Sequence, residues 1–94
     1  MSAVVSENSA AAIWKRAIEP EVGDLSPDQA RAILRLKLSR RDLDRADELA
    51  AKARSGSLSE AEEAEMDDYL AVGSSLEFLK SKARLSLRGA ETPD

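Results

Sequence analysis

Apolar positions recur at helical spacing along almost the whole chain, and most regularly near its end. Tyr69, Val72, Leu76, Leu79, Ala83 and Leu87 follow one another at steps of three and four, with Met66 and Leu70 on the flank. That spacing is one side of an α-helix. Ser59 with Glu62 three residues on predicts a capping box at its start, and Gly89 and Pro93 are expected to close it. A helix of about 30 residues over 59–88 is ~45 Å long at ~1.5 Å per residue, whereas a compact chain of this size has a radius of gyration of roughly 12 Å. The helix is therefore expected to protrude, or to be covered by something outside this chain.

Three shorter helices are predicted ahead of it. The first opens around Ser9 and carries Ile13 with Ala17 and Trp14 with Ile18 as i, i+4 pairs. Pro20 forces its end near Glu19, and Trp14 reads as a packing anchor. Residues 20–25, PEVGDL, form a connector. Ser26, Pro27 and Gln29 predict a second capping box, leading a helix through Ala30, Ile33 and Leu34. Leu36, Lys37 and Leu38 alternate, leaving helix or extended link open there. Ser39 is the cap of a third helix, with Asp42 at its third position. Leu43, Ala46, Leu49, Ala50 and Ala53 form its apolar side; Arg41, Arg45, Glu48 and Lys52 read as its solvated side. Gly56 is the expected stop, and a tight 55–58 link makes the third and the long helix antiparallel neighbours. The fold class is all-α: a small bundle of about four helices with the long C-terminal helix as its spine and no sheet. One domain over 9–88 is expected between flexible ends at 1–8 and 89–94.

A second apolar set on the long helix does not belong to its core stripe. Ala71, Phe78 and Leu85 repeat every seven residues, almost opposite Leu76. A helix apolar on two sides requires neighbours on two sides, and burying a Phe or Leu is worth about 1.5–3 kcal/mol. Gly73, Ser74 and Ser75 make the helix centre small enough for a close crossing, either with a helix of this chain or with a second copy.

Charge changes the picture in one respect. Glu60, Glu62, Glu63, Glu65, Asp67 and Asp68 fill the first turns without a base, and Lys80, Lys82, Arg84 and Arg88 fill the last without an acid. The helix dipole explains much of this, at about 0.3–1 kcal/mol per terminal charge. An antiparallel pair of copies would also oppose Glu60 with Arg88 and Asp68 with Lys80, so a homodimer through residues 66–85 is expected. Ala71, Gly73, Phe78, Lys82, Leu85 and Arg88 are the candidate partner interface.

Composition narrows the chemistry. The chain of 94 residues has no His and no Cys, which removes the usual general base, the commonest metal ligand and the thiolate. No phosphate-binding glycine loop or nucleophile triad occurs, and the acidic cluster lacks the spacing of a calcium loop. A non-enzyme with no cofactor and no metal is expected. No apolar run approaches the ~20 residues of a membrane span, and the start lacks a signal-peptide pattern, so the expected location is the cytoplasm. With 18 acids against 14 bases, the net charge of -4 opposes general affinity for nucleic acid. The stretch 31–45 is nonetheless locally basic. Arg35, Lys37, Arg40, Arg41 and Arg45 are candidate nucleic-acid contacts if the second and third helices form a helix-turn-helix, although Asp42, Asp44 and Asp47 interrupt the run.

Two motifs carry a family resemblance. The run EL-x-x-KA-x-x-G-x-L-(S/T)-x-x-E is present as Glu48, Leu49, Lys52, Ala53, Gly56, Leu58, Ser59 and Glu62. A closing L-x-SKAR-x-SL is present as Leu79, Ser81, Lys82, Ala83, Arg84, Ser86 and Leu87. Over about residues 18–88 the chain resembles a group of small uncharacterised bacterial helical proteins often encoded beside an HNH-type nuclease gene. The resemblance implies an antitoxin-like or regulatory protein, with a neighbour-encoded nuclease as partner. The expected function is accordingly a protein-binding module that occludes its partner through the long helix. The alternative is a stand-alone homodimer with a structural or DNA-binding role.

Overall fold

A computed structural model describes residues 7–91 of the chain. These residues form four helices and no strand: α1 (Ala10–Ile18), α2 (Pro27–Leu34), α3 (Arg40–Ser55) and α4 (Glu60–Glu91). The local signals act where they stand in the sequence. Ser9 Oγ accepts the Ala12 amide, Ser39 Oγ that of Asp42, and Ser26 with Gln29 closes a full capping box. The Ser59 amide donates to Glu62 and the Glu62 amide to Ser59 Oγ, so α4 starts on the second box. Gly56 ends α3 with φ at 69°, its amide and that of Ser57 both returning to the Lys52 carbonyl. Residues 36–39 are not helical.

Two boundaries differ from expectation. α4 runs through Gly89 to Glu91, because a glycine lowers helix propensity by only ~1 kcal/mol and does not itself break a helix. Glu7 and Asn8 are tied back to α1 by the Arg16 guanidinium, which donates to the Glu7 carbonyl at 2.7 Å. Of the two expected flexible ends, residues 1–6 and 92–94 lie outside the described residues.

Each short helix packs on α4, and none of the three packs on another. α3 runs antiparallel to the first half of α4, and α2 lies antiparallel along its second half, entering at Ser86. α1 lies alongside in the same sense as α4, with its end at Lys82. The result is elongated, 54 × 33 × 16 Å with a radius of gyration of 16.4 Å. Ile18, Ala30, Leu49 and Ala83 are the buried apolar residues. Two of the four are alanines, the residue type that lets helix axes approach closely.

Candidate protein-binding surface on the long helix

Three sets of contacts fix which parts of α4 are covered. The first joins α3 to the acidic start of α4. The Arg45 guanidinium forms a two-pronged bond with Glu65, both distances 2.7 Å, and also pairs with Glu48. Lys52 Nζ donates to Glu62 at 2.5 Å. The Lys52 ammonium and the Ser59 amide hold the Glu62 carboxyl down at about 2, and Arg45 lowers that of Glu65. The expectation of a solvated side on α3 is thus corrected for Arg45 and Lys52, whose partners come from α4. Tyr69 Oη donates to Asp42 at 2.7 Å, which lowers the Asp42 carboxyl and raises the phenol.

The second set binds the connector to the end of α4. Lys82 is only 8% exposed. Its ammonium donates to the Ile18 carbonyl at 2.9 Å and the Glu19 carbonyl at 3.4 Å, and pairs with Asp24 at 2.8 Å. It therefore caps the C-terminus of α1, where Glu19 takes a left-handed conformation with φ at 55°. Ser86 is also buried; its hydroxyl donates to the Lys82 carbonyl and accepts the Leu25 amide. Gly23 lies so close to α4 that a Cβ there would stand 3.0 Å from the Leu85 carbonyl carbon and the Ser86 nitrogen. Lys82 is thereby removed from the partner interface, and Leu85 is half-buried under the same connector.

The third set is incomplete, and it leaves the middle of α4 open on two sides. On one side Trp14 and Ala10 from α1, with Ala71, Val72, Leu76 and Leu79, line an open, mostly apolar cleft of about 450 Å³. Trp14 is 53% exposed and Val72 47%, so the tryptophan is the rim of this cleft and not a core anchor. α1 has only nine residues, held at its end by Lys82, and does not bring its indole ring fully onto α4. On the other side Leu70, 59% exposed, borders a shallow hollow with Gly73, Ser74, Glu77 and Phe78.

The candidate interface residues are therefore divided. Ala71 lies in the Trp14 cleft, Gly73 and Phe78 at the opposite hollow, and Arg88 on the exposed last turns. Nothing in the chain approaches within 4 Å of where a Gly73 side chain would start, so Gly73 serves no intrachain crossing, whereas Ser75 lines the cleft shared with α1. Among the candidate nucleic-acid contacts, Arg35, Lys37, Arg40 and Arg41 are exposed, while Arg45 is engaged by Glu65. α2 and α3 do not touch, so they do not make a helix-turn-helix pair.

Among the described residues no three acidic side chains gather in a group able to hold a metal ion, and no helix is long and apolar enough to cross a membrane. No family model, no curated protein and no solved structure matches the chain.

Proposed function

We propose that this chain is a non-catalytic, cytoplasmic protein-binding module: an antitoxin-like or regulatory partner of a neighbour-encoded nuclease, acting by stoichiometric occlusion through α4. The observation that supports a binding role is the cleft between α1 and α4. Trp14 and Val72 keep about half their surface in water after all three short helices have packed, and half-exposed aromatic and branched side chains around a concave apolar floor are the anchors protein interfaces use. The nuclease enters through the family resemblance. Its partner surface is assigned to the Trp14 cleft, with exposed Asp68 at the edge.

Co-expression with the nuclease encoded beside this gene tests the reading. The wild-type chain is expected to co-purify with the enzyme at a fixed ratio and to abolish its activity. Val72→Glu, a change at an exposed position, is expected to remove both effects while leaving the helical content intact. A nuclease that stays fully active and unretained in the presence of excess wild-type chain contradicts the proposal.

A further inference from the structure

The hollow at Gly73 lies on the far side of α4 from the Trp14 cleft: Leu70 and Ser74 each stand two residues from Val72, which at ~100° per residue turns them away from it. Three observations meet on that far side. Gly73 sits in the interior of a 32-residue helix with no intrachain neighbour that needs it small. Leu70 projects beside it, more exposed than any other large apolar side chain among the described residues. The acids and bases of α4 are also sorted by the fold. Glu62 and Glu65 are engaged by α3 and Lys82 by the connector. Glu60, Glu63 and Asp67 are exposed on the N-terminal turns, and Arg84 and Arg88 on the C-terminal ones, Arg84 with its own-helix partners Glu77 and Ser81 and Lys80 half-exposed beside them.

We propose that this face of α4 binds a second copy of the same chain, antiparallel, with the two-fold axis at the Gly73–Ser74 pair. In that register Leu70 of each copy enters the hollow of the other beside Gly73, Ser74 and Phe78 and opposite the stem of Glu77, whose carboxylate is turned to Arg84 at 3.7 Å. The hollow holds about 520 Å³, and it is shallow and open. Glu63 then faces Arg84 across the axis, at both ends by symmetry, with Asp67 adding to the acidic end and Lys80 to the basic one. A parallel pair would set acid against acid and base against base, so charge selects the orientation. The face is one helix wide. A strip ~40 Å long and ~10 Å across is smaller than the ≈800 Å² per partner of a standard stable interface, which makes the dimer reversible and concentration-dependent. Because it leaves the Trp14 cleft free, its success or failure is independent of the nuclease reading.

Sedimentation of the full chain in low salt, from low to high micromolar concentration, is the test. A reversible dimer is expected, with Leu70→Glu and Gly73→Leu each weakening it by roughly tenfold or more. Gly73→Leu raises helix propensity, so its melting temperature is expected to equal or exceed that of the wild type, and its lost association cannot come from misfolding. Glu63→Lys with Asp67→Lys is expected to be monomeric alone, as is Lys80→Glu with Arg84→Glu, whereas an equimolar mixture of the two variants associates. A wild-type chain that remains monomeric at high micromolar concentration overturns the proposal. So does a Gly73→Leu chain, or either charge-reversed chain, that associates as tightly as the wild type.

Discussion

Lys82 shows how much a single buried charge organises here. Its ammonium replaces the hydrogen bonds that the last carbonyls of α1 lack, and its pairing with Asp24 keeps it compensated. Lys82→Met keeps the aliphatic stem and removes the donor. It is expected to lower unfolding free energy by about 1–3 kcal/mol, read from urea denaturation. Asp24→Asn leaves the ammonium its two carbonyl acceptors but removes its counter-charge, and a smaller loss than that of Lys82→Met is expected by the same measurement. Gly23→Ala tests the same junction from the other side. The added methyl would meet backbone atoms of α4 at 3.0 Å, which cannot move aside singly, and a loss of about 1–3 kcal/mol is expected by the same measurement. Tyr69 is the single tyrosine and therefore a clean probe. Its bond to the Asp42 carboxylate raises its pKa above the ordinary ~10, so the contribution of this bond is complete below pH ~10 and is lost as pH rises through the folded value. An absorbance titration is expected to give a midpoint above that of free tyrosine, returning towards it in Asp42→Asn.

At the scale of elements, α3 is joined to α4 by the burial of Leu49 and by ion pairs along its edge. Glu62, Glu65 and Asp42 all have folded pKa values below their unfolded ones. The unfolded chain therefore binds more protons as pH falls, and stability present above pH ~4.5 is lost progressively towards pH 2. Urea midpoints are expected to fall over that window and to do so less steeply in Glu62→Gln. Gly73 gives a prediction of opposite sign. With no neighbour within 4 Å, Gly73→Ala in the monomer is expected to raise stability by up to about 1 kcal/mol in thermal or urea unfolding.

The element boundaries were legible because capping is local: Ser9, Ser26 with Gln29, Ser39, Gly56 and Ser59 with Glu62 each act within four residues. The side-chain roles were less so. Lys82 finds its carbonyls more than sixty residues away, through a left-handed Glu19 that no composition rule announces. Arg45 and Lys52 were legible in principle. An antiparallel α3–α4 hairpin places the bases of one helix opposite the acids of the next, but a solvated reading of each helix alone conceals it. Trp14 was misjudged for a different reason: periodicity identifies which side of α1 faces α4, not how closely so short a helix approaches.

The whole molecule is a spine with three attachments, and its function is argued from what they leave uncovered. α3 and the connector cover the two ends of α4, while its middle keeps the Trp14 cleft on one side and the Gly73 hollow on the other. An elongated shape follows, and small-angle scattering of the dilute monomer is expected to give a radius of gyration well above the roughly 12 Å of a compact chain of this length. The two proposals place different tasks on the two faces, a heterologous partner on one and a second copy on the other. Trp14 separates them experimentally, since it is the only tryptophan and lines only the first.

The most direct measurement is the fluorescence of Trp14 while the proposed nuclease partner, with its own tryptophans replaced, is titrated into the chain. The account predicts a shift of emission to shorter wavelength that saturates at a fixed stoichiometry, with nuclease activity lost over the same range. Emission that stays constant while the nuclease remains active at excess chain would contradict it.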